Sequence, residues 1–589
     1  MIYKLFNKPT YSPMEQILIN RGIQKDKIKE WLNAGWPQIN SPWLFGTEKV
    51  KHAIKLMSYA AMDNKEIWVL VDCDADGFTS AAIIINYLYK MYKDVPELGN
   101  IEERIHYILH TGKQHGLEDT IDQFPDNCLI ILPDSSTNDV EQMRELLDRG
   151  CSIVCMDHHE ADNYLEDEDN LVIINNQIGD YPNKDMSAAG VVWQICRAWD
   201  KIFETNYAND FIDLAALGIL SDMCDYRSIE TKAIVSLGLN NIKNPFFYYM
   251  TEKNEFSINK MGGINYMSIA FYVTPFINAI VRSGTMEEKD LIFKSFLDMY
   301  AFEKIESGKR GHKGELVPRV EEAVRICTNV KARQTKLQDA AMALLEKRIR
   351  EQSLFEDAII VLTCEPGEVE KNIAGLVANK IQAKYQHPTL VLTKSKTVDD
   401  KEIFYRGSAR NYSMSENQDL RAACLETDLV EYAQGHANAF GISIAESNID
   451  SFIEKTNQLY EQVEKEPVYW ADFIWTKNDI IPHVILDIAE SEQYWGQEIP
   501  EPYIVIKDIN LSNCHVQLLS ADKHPTIKIH LDCGVDIMKF KSSQEEYEDF
   551  IAPNKILTAV CRCAKNEWNG NVTAQLIIED FQLREEWIF

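Results

Sequence analysis

In the stretch WVLVDCDADGFTS, Trp68 to Ser80, four apolar residues run into Asp72, Asp74 and Asp76. On an extended backbone, positions two apart share one face, so these carboxylates would point the same way. Like charges held that close raise one another's pKa unless a cation sits among them. The chemistry this suggests is divalent-metal binding. Two other readings use the same residues. A calcium loop begins Asp-x-Asp-x-Asp-Gly, with Gly77 in the required place. Against it, the twelfth position is Ile83 instead of a bidentate Glu, and a β-prone run precedes the loop where a helix belongs. A surface turn is the other reading, since Asp and Gly favour turns for backbone reasons of their own.

The elements that must position these acids alternate between apolar strands and helices. EIWVLVD (66–72) reads as a strand and SAAIIINYLYKMY (80–92) as a helix. NCLIILPD (127–134) is a strand, DVEQMRELLDRG (139–150) a helix closed by Gly150, and CSIVCMD (151–157) a third strand. Strands apolar throughout and separated by helices signal a parallel sheet covered on both faces. All three strands end in Asp: Asp72, Asp134 and Asp157, the last followed by His158 and His159. Ligands of open α/β sheets sit outside the carboxyl ends of the strands, so these residues should converge in one crevice. Singly, each would serve as a helix cap or turn residue; together with two imidazoles they point to a metal site.

The rest of the chain supplies further pieces. DLAALGILSDMCDY (213–226) is an apolar helical run carrying Asp222. VKARQTKLQDAAMALLEKRIREQ (330–352) sets Leu337, Ala341, Leu344 and Leu345 at helical spacing, as in a long, largely exposed helix bridging two domains. A second α/β unit starts at DAIIVLT (357–363), with strands at PTLVLT and EIFYRGSA. From about residue 465, runs such as EPYIVIKDI, TIKIHLD and VTAQLIIEDF recur between turns, as in a small β-barrel.

Bulk numbers bound the class. A chain of 589 residues exceeds one core and calls for three or four domains. With 45% hydrophobic and 26% charged residues, the composition is that of a soluble globular protein. The N-terminus lacks the apolar stretch of a signal peptide, and no apolar run approaches the ~20 residues that span a bilayer. Thirteen Cys with no CxxC pair fit reduced thiols in the cytoplasm. The net charge of −31 counts against broad electrostatic nucleic-acid binding, yet Lys371 to Arg410 holds eight Lys/Arg against three Asp/Glu.

These residues resemble the RecJ exonucleases of the DHH/DHHA1 phosphoesterase superfamily, over nearly the whole chain. The motifs are VDCDADG (71–77), PDSS (133–136), Asp157-His158-His159 and LGILSDM (217–223). The second half is similar in GLVANKI (375–381), HPTLVL (387–392), RGSAR (406–410) and QGHANAFG (434–441). The C-terminal end is similar in GQEIPEPYIV (496–505) and NEWNGNVTAQLIIEDF (566–581). The resemblance implies an α/β protein with two α/β domains, DHH with a parallel sheet and DHHA1, joined by a long helix, plus a C-terminal β-barrel of the OB-fold. The expected boundaries are 1–60 for an N-terminal helical segment, 61–285 for DHH, 286–355 for a helical linker, 356–465 for DHHA1 and 466–589 for the OB-fold.

By the same resemblance, Asp74, Asp76, Asp134, His158 and Asp222 hold two Mn²⁺ or Mg²⁺ ions, with Asp134 the best candidate bridge, and Asp72 either joins them as a ligand or supports them from behind. Asp157 orients an imidazole and His159 contacts the scissile phosphate. Asn278 and Arg282, in TPFINAIVRSG (274–284), lie near substrate phosphates, Ser408 and Arg410 grip a terminal phosphate, and His436 binds substrate. The family's usual Arg after the strand following the first motif is missing from HTGKQHG (110–116), where Lys113 offers a point charge without a bidentate fork. Ser136 and Gln434 stand where the family usually has Gly. The implied activity is 5′→3′ hydrolysis of single-stranded DNA to mononucleotides, in a cleft that admits one strand. Alternatives are a phosphodiesterase on short oligonucleotides or cyclic dinucleotides, and a non-catalytic replication scaffold. A monomer is expected, with single-stranded DNA as partner and a helicase or single-strand-binding protein feeding it, and no membrane association.

Overall fold

Apolar strands with acidic tips build one continuous parallel sheet. The computed structural model describes residues 1–112, 114–396, 403–415, 417–459, 466–520, 523–568 and 570–585. In it, β1 (Ile67–Val71), β2 (Ile105–Leu109), β3 (Leu129–Pro133), β4 (Ser152–Asp157) and β5 (Leu171–Asn175) pair in the order β2-β1-β3-β4-β5, all parallel. Side chains alternate between its faces. Leu70, Ile130, Leu132, Ile153, Cys155 and Ile173 share one cluster with Met143 and Leu146 of the helix Val140–Asp148. Val69, Val71, Ile131, Val154 and Met156, on the alternate positions, are equally buried. Burying such side chains contributes ~1.5–3 kcal/mol each.

Seven helices of this region matter for the site or the sheet: α1 (Thr47–Met62), α2 (Ala75–Tyr92), α3 (Val140–Asp148), α4 (Ala188–Phe203), α5 (Ile212–Ser221), α6 (Ile229–Leu239) and α7 (Thr274–Ser283). Helix α2 begins at Ala75, five residues before the apolar pattern suggests, because Asp74 caps it by accepting from Gly77 N–H at 3.0 Å. The extended stretch imagined for Asp72, Asp74 and Asp76 is therefore a strand end, a cap and a first helical turn. Gly77 is required there: an added Cβ would lie 2.6 Å from Asp72 Cβ.

The chain divides into two compact units. One comprises Arg21–Ala332 with Ser491–Pro500; the other comprises Met1–Asn20, Arg333–Glu490 and Glu501–Phe589. A 33-residue helix, α8 (Arg319–Glu351), carries the chain from the first to the second. Of the four residues read at helical spacing on it, Ala341 and Leu345 are buried, while Leu337 and Leu344 are 36% and 38% exposed.

The second unit holds two larger sheets. Strands β6 (Ile360–Cys364), β7 (Thr389–Lys396), β8 (Ile403–Arg410), β9 (Val430–His436) and β10 (Ala439–Ala445) pair in the order β9-β10-β8-β7-β6, with only β6 and β7 parallel. Leu345 and Ile349 of α8 pack on one face with α9 (Ala374–Tyr385).

The C-terminal sheet has seven strands: β11 (Phe473–Trp475), β12 (Ile504–Asn510), β13 (His515–Leu519), β14 (Thr526–His530), β15 (Asp536–Lys539), β16 (Lys555–Trp568) and β17 (Asn571–Glu585). They pair in the order β11-β12-β16-β17-β15-β14-β13. The expected barrel is not closed: among the described residues no ladder joins β11 to β13. Closure needs two partners for every strand at a consistent stagger. Here β11 is three residues long, and the helix Gln544–Ile551 packs against β13. The N-terminal segment read as helical opens on a strand, Ile2–Leu5, paired in parallel with Val468–Ala471; short helices follow from Pro13. Among the described residues no helix is long and apolar enough to cross a membrane.

Candidate functional site

Parallel strands deliver their last residues to one edge, and the acids gather there. Asp72 follows β1, Asp134 follows β3 and Asp157 ends β4. Asp74 and Asp76 arrive with the first turn of α2, and Asp222 with the end of α5. Three sets of ligand atoms each lie within 4.8 Å of one another: Asp72, Asp74 and Asp134; Asp76, His158 and Asp222; and Asp134, Asp157, His158 and His159. His158 Nε2 stands 3.2 Å from Asp134 Oδ1, linking the first two sets. Its Nδ1 is 3.6 Å from Asp222 Oδ2.

Each carboxylate is held by neighbours that leave coordinating atoms over. Asp76 points back to the N-terminus of α4, where it accepts from Ala188 N–H at 2.8 Å and Ala189 N–H at 3.1 Å. Gly218 of α5 makes room for it, since a Cβ there would sit 2.3 Å from Asp76 Oδ1. Asp134 has φ +69 and Ser136 φ +77. The second angle is one that Gly adopts more readily than Ser. Asp134 Oδ2 is buried, and among the described residues it has no hydrogen-bond partner. A buried carboxylate oxygen in that state is costly unless something positive completes it.

The electrostatics carry the same message. Burial pushes Asp134 and Asp222 well above the ordinary carboxylate range, and the charges of Asp76 and Asp74 push further. Asp76 rises to about 7, through burial and then Asp74. Asp157 behaves in the opposite way. Although burial opposes it, hydrogen bonding and charge from His159, with His158 and Thr137 adding to them, hold its carboxyl far below the usual range. Its Oδ1 accepts from His158 N–H at 2.7 Å and lies 2.8 Å from His159 Nδ1; its Oδ2 accepts from Thr137 N–H at 3.1 Å. Burial lowers His159 too, but the Asp157 hydrogen bond and charge outweigh it and raise the imidazole to about 9. His158 falls to about 4, through burial and the His159 charge. The donor set of hard carboxylate oxygens with one neutral imidazole, and an orphaned oxygen among them, fits Mn²⁺ or Mg²⁺.

Two residues of the site escaped the sequence reading. His115 Nδ1 lies 2.8 Å from Asp72 Oδ2, and its ring centroid is 4.7 Å from that of His159. His110 is 2% exposed, with Nε2 3.7 Å from Asp72 and Nδ1 3.2 Å from Asp119. The signal was present: HTGKQHG carries both imidazoles directly after β2, the neighbour of β1. Lys113, singled out in that segment, lies outside the described residues, as do residues 397–402 of the basic stretch.

The expected phosphate contacts fall in two places. Asn278 and Arg282 stand one turn apart on α7. Burial draws the Arg282 guanidinium below its ordinary value, and the charges of Asp74 and Cys73 oppose that shift. In the second unit, Ser408 and Arg410 of β8 converge on Gly375 at the start of α9. A Cβ there would meet Arg410 Nη2 at 2.6 Å and Ser408 Oγ at 3.3 Å. His436 is exposed on β9 and shares a register row with Ala439 and Arg410.

Comparison with known proteins agrees with this geometry. Residues 66–219 match the DHH family, N-terminal domain, and residues 472–580 match the RecJ OB domain. The chain is 31% identical over 596 residues to a Bacillus subtilis protein, YorK, named as an SPbeta prophage-derived single-strand DNA-specific exonuclease; the match covers 99% of this chain and 98% of that one. It is 23% identical to the single-stranded-DNA-specific exonuclease RecJ of the same organism, over 92% of this chain and 65% of that one. The crystal structure of RecJ with Mn²⁺ from Thermus thermophilus superposes with a TM-score of 0.69 at 18% identity, covering 99% of this chain and 80% of the other. The chain belongs to the RecJ-like single-strand-DNA-specific exonucleases of the DHH family.

Proposed function

We propose that the chain hydrolyses phosphodiester bonds of single-stranded DNA from the 5′ end, releasing 5′-mononucleotides with the help of two Mn²⁺ or Mg²⁺ ions. The observation that carries this reading is the pair of ligand sets, Asp72–Asp74–Asp134 and Asp76–His158–Asp222, joined by the 3.2 Å approach of His158 to Asp134. The name of the 31%-identical relative supports the substrate, and the Mn²⁺ of the Thermus RecJ crystal supports the cofactor. When bound, two such ions supply hydroxide near neutral pH and neutralise charge on the leaving oxygen.

The protein's own groups do the rest. Asp157 holds the proton on His159 Nδ1, so the imidazolium offers Nε2–H to a phosphate oxygen at neutral pH. Asn278 and Arg282 receive further phosphates beside it. In the second unit, Ser408 and Arg410 with the first N–H groups of α9 form a receptor for a terminal phosphate, and His436 flanks it. The C-terminal sheet, placed in a domain spanning 466–589, holds the trailing strand by stacking and charge. Residues 61–285 form the DHH domain and 356–465 the DHHA1 domain, with 1–60 preceding and 286–355 linking them. The enzyme works as a cytoplasmic monomer, on strands exposed by a helicase or held by a single-strand-binding protein.

The test is a labelled-strand assay with Mn²⁺ or Mg²⁺ comparing DNA with RNA and 5′-phosphate with 5′-hydroxyl ends. Mononucleotides released from the 5′ end of long single-stranded DNA are expected. Cleavage confined to di- or tetranucleotides, or binding without cleavage, would replace this reading.

A further inference from the structure

Asp222 opens the turn DMCDYRS (222–228), which leads from α5 into α6. Within it Met223 has φ +60, a left-handed conformation that disfavours a side chain. Such a turn needs holding from outside, and the hold is on Tyr226. The Tyr226 N–H donates to Gln497 C=O at 3.2 Å, and the Tyr226 C=O accepts from Trp31 Nε1 at 3.0 Å. Its hydroxyl accepts from Lys232 Nζ at 2.9 Å, and its ring lies 4.8 Å from that of Tyr266. Lys232, 5% exposed, places its ammonium 5.0, 4.6 and 5.4 Å from the ring centroids of Trp31, Tyr226 and Tyr494. A desolvated cation over three aromatic faces is a strong local tie.

Two of these partners, Tyr494 and Gln497, come from Ser491–Pro500. That segment belongs to the catalytic unit although the chain on both sides of it belongs to the other. It is a tight loop in its own right. Gly496 and Ile499 exchange both backbone hydrogen bonds, at 2.9 and 3.0 Å, and Trp495 and Ile499 are buried. Arg21 Nε donates to Pro500 C=O at 3.1 Å, and Glu498 lies 3.7 Å from Arg227. Gly496 rests directly on aromatic rings. An added Cβ would sit 2.7 Å from Tyr226 Cδ1 and 3.0 Å from the Tyr266 ring.

We propose that Ser491–Pro500 is a positioning strap for Asp222: by clamping Tyr226 it fixes the turn that brings the Asp222 carboxylate to Asp76 and His158. This rests on the metal-site reading given above. Gly496, Tyr226 and Lys232 touch no substrate; they act through Asp222. Loosening the strap should therefore weaken cation binding and leave the affinity for the DNA strand alone.

The experiment uses the full chain and the variants Gly496→Ala and Lys232→Met. Mn²⁺ binding without DNA is read from the electron-paramagnetic-resonance signal of free Mn²⁺, alongside KM for a single strand. Both variants should bind Mn²⁺ about tenfold more weakly, as loss of support around metal ligands generally does. KM for DNA should stay at the wild-type value, and excess Mn²⁺ should restore turnover. Wild-type Mn²⁺ affinity in both variants would overturn the strap; should Gly496→Ala fail to fold, Lys232→Met decides alone. A wild-type chain that takes up no Mn²⁺ would instead remove the metal reading, and the strap's role with it.

Discussion

The two ends of one parallel sheet are built on opposite terms. At its carboxyl edge stand Asp72, Asp134 and Asp157, with Asp134 and Ser136 in left-handed backbone and Asp134 Oδ2 without a hydrogen-bond partner among the described residues. At its amino edge, Cys128 precedes β3 and Cys151 precedes β4. Both thiols are buried, 3.8 Å apart, and each donates to Pro125 C=O, at 3.2 and 3.4 Å. The same strands and the same covering helices serve both edges. At one edge the thiols are satisfied by each other and by Pro125; the other edge concentrates like charge that burial makes worse. Stability alone would not arrange the second edge so. Its cost makes sense where a ligand completes it, and that is the edge where open α/β sheets bind ligands.

The comparison breaks most sharply at Asp134. For Asp134→Asn, turnover should fall about a thousandfold, ~4 kcal/mol of barrier. The metal-free protein should meanwhile resist unfolding better, because a neutral amide removes repulsion from Asp76, Asp74, Asp72 and Asp222. Single-turnover cleavage and thermal melting in chelator read the two effects. A variant that is both inactive and less stable would mark Asp134 as an ordinary core residue. Asp76→Ala should likewise lose turnover while single-strand binding, followed by fluorescence anisotropy, persists.

Proton linkage gives the next effect. Asp134 and Asp222 are pushed well up, and Asp76 reaches about 7. A carboxyl whose folded pKa exceeds its unfolded value keeps its proton longer in the folded state. Metal-free stability should therefore decline as pH climbs from about 4 through about 7. A cation must displace those protons, so Mn²⁺ binding should weaken below pH 7, by up to ~tenfold per unit for each proton released. Mn²⁺ titrations at pH 6, 7 and 8 and chelator melts check both signs. A flat profile at both would mean the acids are not coupled as the geometry places them.

Much of this edge was legible in sequence because the signal is local. Four apolar residues before Asp72, and the runs before Asp134 and Asp157, announce buried strands and their ends. What sequence could not carry is where a carboxylate turns after the strand stops. Asp74 and Asp76 became a helix cap and a helix-terminus acceptor because Ala188 and Ala189, over a hundred residues away, supply the N–H groups. His110 and His115 depend on β2 lying beside β1, a pairing no local pattern encodes. The barrel failed for a similar reason: alternation identifies strands but not whether the last meets the first. In the second unit, RGSAR announced Ser408 and Arg410 without revealing that both meet Gly375. Arg410→Ala should weaken the preference for 5′-phosphorylated ends several-fold, more than it slows cleavage; competition between 5′-phosphate and 5′-hydroxyl strands measures this. An unchanged preference would detach the Gly375 corner from end recognition.

The smallest effect belongs to the amino edge. Cys151 is drawn down to about 6 by its hydrogen bond with Cys128, whose own thiol is pushed up by the same contact and by burial. Both thiols sit in the apolar cluster formed with Phe124, Met143 and Leu146. For Cys151→Ala the lost contacts should lower stability by about 1 kcal/mol, the ordinary size for a single buried substitution. Turnover and Mn²⁺ affinity should be those of the wild type. Urea unfolding and Mn²⁺ titration on the same preparation separate the two. If Cys151→Ala weakened Mn²⁺ binding, strain at one edge would be reaching the other through β4, and the two ends could no longer be treated as independent.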